Sequence, residues 1–203
     1  IHGAISFTNE LYAAPSDLDK DGKTTDVERM KFNDLLTLGR QFVDWKEVAH
    51  PQYGTVEIGG YRHDVGRIPE RWMLQVESHR NAAFVLYHAW ELPLIRFGEP
   101  TLRRLEGDLW RVEISVHNER AIPSVTAMAI QHRLHRPDLL MASGPRVVAS
   151  GVVNDRYMDK VQLQRHRPER LKIDGIPGRS HRRLMVLVEG KGPLVLAYDS
   201  VKA

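Results

Sequence analysis

The 203-residue chain carries 29 Lys/Arg against 26 Asp/Glu, 42% hydrophobic residues and no cysteine. That balance is ordinary for a folded globular protein and excludes a disulfide framework, a thiolate nucleophile and thiolate metal ligands. No apolar run approaches the roughly 20 residues a membrane-crossing helix needs, and no basic leader-like region opens the chain at Ile1. The missing Met and the abrupt start read as a fragment or a processed chain, which leaves the compartment unknown. Charge is uneven along the sequence. Residues 96–203 hold 19 Lys/Arg against 12 Asp/Glu, a balance of +7, whereas residues 1–95 hold 10 against 14, a balance of −4. This asymmetry predicts two domains, 1–95 and 96–203. The arginines of the basic half are scattered among strand residues without aromatic stacking partners, so no nucleic acid is expected as a partner. No membrane is expected either.

In chain order, residues 3–12 are rich in strand formers and predict a short β-strand ended by Pro15 and Ser16. Residues 17–28 form an acidic loop. Residues 26–43, with Val27, Met30, Leu35, Leu36, Leu38, Phe42 and Val43, predict one or two short helices broken at Gly39. Residues 50–62 predict a turn and a short extended piece. Residues 70–92 give the clearest helix, with Trp72, Val76, Ala83, Leu86, Tyr87 and Trp90 as its buried face and Pro93 as its stop. Short alternating segments follow. In the first, Trp110, Val112, Ile114 and Val116 share one face, and Arg111, Glu113 and Ser115 the other. Further strands are predicted over 125–131, 146–153, 160–165, 184–188 and 194–198. Together they predict a small β-sandwich.

The sharpest motif is Asp17-Leu-Asp19-Lys-Asp21-Gly22 followed by five residues and Glu28. Alternate carboxylates on a tight loop converge on one point. Gly22 permits the turn, the Lys23 carbonyl can supply an oxygen, and Glu28 can close the site with two. This hard, all-oxygen set favours calcium. The alternative is a solvated acidic loop, but five carboxylates within twelve residues repel one another without a cation. Because the preceding segment reads as strand plus proline, a structural calcium loop is expected rather than a helix-loop-helix sensor.

Around Ser6-Phe-Thr-Asn-Glu10-Leu the chain resembles the strand that carries the catalytic glutamate of carboxypeptidase A-like zinc metallocarboxypeptidases. The Asp17–Glu28 loop, Gly39-Arg-Gln-Phe-Val-Asp-Trp45, His50-Pro-Gln-Tyr-Gly54, Glu57-Ile-Gly-Gly60 and the segment from His79 to His88 extend the resemblance to a bacterial branch of that family. It covers about residues 1–95 and implies an α+β chain. The first part would be a terminal strand and helix remnant of an α/β carboxypeptidase domain, and the second an all-β accessory sandwich. It implies that Glu10 is the general base and that the parent hydrolyses C-terminal peptide bonds with zinc. The family's zinc ligands and substrate-carboxylate arginine precede the catalytic strand, and only nine residues precede Glu10 here. The expectation is therefore calcium in this chain, zinc in the intact parent only, and no activity from the chain alone. A missing catalytic half or another copy of the chain would cover the exposed remnant. The parent is expected to be secreted or periplasmic. The alternative is a calcium-stabilised, non-catalytic interaction module. His88-Ala-Trp-Glu91 could place two zinc ligands on one helix face, but it follows Glu10, against the family order, and capping explains it better. His132-Arg-Leu-His135 is weaker still.

Overall fold

The computed structural model describes residues 5–10, 17–63, 65 and 68–202. The chain is α+β and divides into two compact units, residues 7–85 and residues 1–6 with 86–203.

In the smaller unit, helix α1 (Asp26–Leu36) opens with a capping box. The Thr25 side chain accepts from the Glu28 N–H, and the Glu28 carboxylate accepts from the Thr25 N–H. The helix ends because Leu38 and Gly39 take the left-handed conformation, φ 55° and 73°. Buried Asn33 fixes this turn: its side-chain oxygen accepts from the Gln41 N–H at 2.8 Å and its carbonyl from the Gly39 N–H at 2.9 Å. The sequence predicted one or two short helices over 26–43 with a break at Gly39; the break is there, but no second helix follows it. Instead the chain leaves the turn as a strand, β1 (Phe42–His50), which pairs with β2 (Gly54–Tyr61) in an antiparallel hairpin. Phe42, Val43 and Trp45 are strand formers, and the pairing across Gly54, at φ 72°, outweighs their apparent helical spacing. The strand expected over 3–12 does not form across residues 5–10; the flanking residues 3, 4, 11 and 12 lie outside the described residues. A strand needs a ladder partner, and none of the described residues pairs with this segment.

Helix α2 (Arg71–Trp90) falls where the sequence placed it, but it has no buried residue. Trp72 and Trp90, from its expected core face, are 63% and 64% exposed.

The larger unit contains two antiparallel sheets. Strand β3 (Ile95–Phe97) and β4 (Thr101–Arg104) lie along the same edge of β5 (Leu109–Asn118). Helix α3 (Ala127–His132) replaces the strand predicted over 125–131. Thr126 caps it by accepting from the Ala129 N–H, and the Ala-Met-Ala run favours helix. Then come β6 (Asp138–Ser143), β7 (Arg146–Asp155), β8 (Lys160–Gln164), β9 (Arg170–Ile173), β10 (Ser180–Glu189) and β11 (Val195–Asp199). The larger sheet runs β3-β5-β10-β7-β8 and the smaller β11-β6-β9. Both contribute to one core. Val112, Ile114 and Val116 from β5 meet Leu184, Val186 and Val188 from β10, Leu140 and Ala142 from β6, and Leu171 and Ile173 from β9. Full burial of each aliphatic side chain contributes about 1.5–3 kcal/mol.

A polar network closes one end of this core. The Ser124 hydroxyl donates to Asp138 Oδ2 at 2.5 Å, and the Tyr198 hydroxyl donates to the same oxygen at 2.8 Å. Ser124 Oγ in turn accepts from the Ile176 N–H at 2.8 Å. Ser124 and Asp138 are fully buried. Burial first, then the charge and hydrogen bond of Asp138, push the Tyr198 hydroxyl well above the usual phenol range, so it remains a donor. Beside this network, Glu91 Oε2 accepts from the Ala121 N–H at 2.7 Å, and Arg179 bonds Glu91 Oε1 at 3.1 Å. The Arg179 N–H reaches the Arg120 carbonyl at 2.7 Å. The Arg120 guanidinium sits over the Trp90 ring, 3.8 Å from its centroid.

Candidate metal site

The acidic loop takes its shape from its own carboxylates. Asp17 Oδ2 accepts from the Gly22 N–H at 3.1 Å, Asp19 Oδ1 from the Asp21 N–H at 3.2 Å, and Asp21 Oδ1 from the Lys23 N–H at 2.8 Å. Short aspartate side chains make such local bonds readily, and Lys20 and Gly22 supply the positive φ that the turns require, 63° and 85°. Each aspartate thus spends one oxygen on the backbone and keeps the other. Ligand oxygens of Asp17, Asp19 and Asp21 lie within 4.8 Å of one another. Asp17 Oδ1 is buried and has no hydrogen-bond partner. Three negative charges this close repel, and a cation at their centre removes the repulsion. A set made only of oxygen donors suits a hard cation such as Ca²⁺ better than zinc.

Glu28 does not join that trio. Its Oε1 accepts from the Leu18 N–H at 2.9 Å, and its Oε2 from the Thr25 N–H and hydroxyl, both at 2.8 Å. The Thr25 donors, followed by the Leu18 N–H, hold its pKa down to about 2 from an ordinary 4.5, although burial opposes them. Glu28 therefore latches the front of the loop to the first turn of α1. Because the folded pKa is depressed, this contribution is complete above about pH 4.5 and is lost as pH falls toward 2. Acidification across that window is expected to release the loop and fray α1, followed by the Glu28 carboxyl resonance and far-UV circular dichroism. Glu28→Gln is expected to abolish that pH dependence.

The remaining candidates are dispersed. Glu10 is exposed and, among the described residues, has no hydrogen-bond or ion-pair partner. Nearby Phe7 stacks edge-on against Phe84, with centroids 5.2 Å apart. Lys23 belongs to the loop through its N–H and its following carbonyl. Glu91 is consumed by Ala121 and Arg179, and those donors lower its pKa, the Ala121 N–H most. Neither the His88–Glu91 pair nor the His132–His135 pair belongs to a group of three possible metal ligands among the described residues. Sequence reasoning missed the Asp138 network. Its one signal was an aspartate heading the apolar run Leu139-Leu-Met-Ala142.

The architecture and the acidic loop define a β-rich α+β protein with one candidate cation site among its described residues. Residues 94–203 match a family described as "Domain of unknown function (DUF8731)", and the chain belongs to that family. No curated protein and no solved structure matches the chain.

Proposed function

We propose that the chain is the C-terminal part of a carboxypeptidase A-like zinc metallocarboxypeptidase, with Ca²⁺ held in the Asp17–Glu28 loop and residues 96–203 serving as an accessory sandwich. The observation that carries the calcium assignment is the convergence of the Asp17, Asp19 and Asp21 oxygens around a buried oxygen that lacks a partner. Those three side chains, with the Lys23 carbonyl, would hold the ion, which stabilises the loop by neutralising it. The peptidase assignment is supported by the resemblance over residues 1–95 and by the uncovered side chains of α2. Leu86 at 72% exposure and Trp90 at 64% are what a helix shows when its apolar side awaits further polypeptide.

The described residues do not fit a catalytic zinc. Among the described residues Glu10 belongs to no group of three possible metal ligands, and the one such group is the all-oxygen trio. No hydrolytic step is assigned to this chain by itself. Its expected contribution to the parent is Glu10, the base that would receive a proton from the attacking water.

Calorimetric titration with CaCl2 is expected to give one site, with Kd between about 10⁻⁶ and 10⁻³ M. Asp17→Ala is expected to weaken it about a hundredfold, since it removes one ligand and the Gly22 turn contact together. Absence of both binding heat and calcium-dependent thermal stabilisation would sink the calcium assignment. Stoichiometric zinc, together with carboxypeptidase activity that Glu10→Gln destroys in this chain alone, would overturn the incomplete-enzyme reading. The second reading, an interaction module, is favoured by the same uncovered α2 side chains. A stable homodimer that shields the α2 tryptophans from quenching would support it.

A further inference from the structure

A basic cleft opens on the outer face of the small sheet in the larger unit. Its volume is about 750 Å³, within the usual range for ligand sites. On β9, Leu171 and Ile173 point into the core, so Arg170 and Lys172 stand on the opposite face, one strand repeat apart. The β8–β9 connection brings Arg165 and Arg167 to the same cleft. Among the described residues none of these four cations has an ion-pair partner, and no acidic residue lines the cleft. Arg136, on the far wall, is already held by Asp199 at 2.6 Å. The floor is apolar, formed by Pro137 and Leu139, the latter paired across strands with Lys172.

The cleft is rigidly built. The two N–H groups of Gln164 Nε2 are shared among the carbonyls of His166, Arg167 and Arg170, at 2.7, 2.9 and 2.9 Å from the nitrogen, and its Oε1 accepts from the Lys172 N–H at 2.9 Å. The Arg170 N–H is bonded to the Arg167 carbonyl at 2.9 Å. One side chain therefore fixes the arginine-bearing turn and occupies the outward Arg170 carbonyl and Lys172 N–H of β9. This closes the strand edge to an added peptide strand. No Phe, Tyr or Trp lines the cleft and His166 is its one ring, so a nucleic acid would find no run of aromatic faces on which to stack successive bases. What remains is a ligand with a weakly polar flat body for the floor and several anionic groups for the rim.

We propose that this cleft binds an acidic oligosaccharide, a sugar chain bearing sulfate or carboxylate groups. The C–H face of a ring lies over Pro137 and the small exposed part of Leu139, and the guanidinium groups take the oxyanions, for which their paired N–H geometry is suited. The proposal is independent of the calcium and peptidase assignments.

The test is calorimetric titration of the full 203-residue chain, at low salt, with a heparin-derived hexasaccharide and with hexagalacturonate. At least one is expected to bind, and which of them binds separates sulfate from carboxylate recognition. Arg170→Gln with Lys172→Gln is expected to weaken binding about tenfold. Arg103→Gln with Arg156→Gln removes the same charge outside the cleft and is expected to change affinity less than about twofold. If the β9 variant does not fold, Arg165→Gln with Arg167→Asn replaces it. Asparagine tolerates the positive φ of 51° at position 167. The proposal is overturned if neither saccharide binds or if both charge-removal pairs weaken binding equally. It is also overturned if an oligodeoxythymidylate of matching charge binds as tightly.

Discussion

Gly178→Ala is expected to destabilise the larger unit by on the order of 4 kcal/mol. A methyl group at Gly178 would fall 1.8 Å from the Ala121 carbonyl oxygen and 2.5 Å from its carbon. These are backbone atoms and cannot swing aside as a flexible side chain would. The Ala121 segment is also held on several sides, by Glu91 at the Ala121 N–H, by the Arg120–Arg179 bond and by the Ile122 N–H to the Glu91 carbonyl at 3.1 Å. Relief of the collision breaks some of these bonds, and the groups left unpaired cost roughly 1–3 kcal/mol each. Gly178 does not have a left-handed φ, so the penalty is collision rather than backbone strain. Gly107 supplies the contrast. It has φ 54° and open space around it, so Gly107→Ala is expected to cost about 1 kcal/mol. Urea unfolding of the two variants, followed by tryptophan fluorescence, compares the mechanisms. Equal midpoints would show that the two backbones are not in close approach.

Asp138→Ala is expected to cost about 3–5 kcal/mol. The substitution leaves the Tyr198 hydroxyl and the Ser124 hydroxyl hydrogen without an acceptor in a region where Ser124 is fully buried. It also unties β6 from the 124 and 176 segments, since Ser124 bridges Asp138 to the Ile176 N–H. Asp138→Asn keeps an acceptor of the same shape and is expected to cost less than Ala. Tyr198→Phe deletes one donor only and is expected to cost about 1 kcal/mol. Because the groups share one oxygen, the Asp138→Ala and Tyr198→Phe effects are expected to be less than additive when combined. Chemical denaturation of the four proteins measures this cycle, and strict additivity would show that the two residues act separately.

These two sites explain what the sequence could and could not reveal. The alternation Trp110-Arg-Val-Glu-Ile-Ser-Val116 marked β5 because one face of that strand meets the core and the other does not. The acidic loop was legible because its geometry is local: every hydrogen bond among Asp17, Asp19 and Asp21 spans five residues or fewer. Strand β6 escaped notice because Asp138, Leu139 and Leu140 are all buried, which erases the period of two. The role of Gln164 was invisible because its value lies in contacts with a turn that sequence reading could not place. Helix α2 misled in a different way. Its apolar residues announced a core face, but no residue of that helix is buried in this chain. Apolar spacing reports what a helix would bury, not whether its cover is present.

The broken rim of the large sheet bears on how the protein behaves in company. Strands β3 and β4 divide the border of β5 between them, three residues and four, with Pro100 in the gap. A neighbouring molecule seeking a long unpaired ladder finds two short stretches, interrupted by a proline that offers no N–H. Crowded solutions of this protein should accordingly resist strand-to-strand fibre growth along that border.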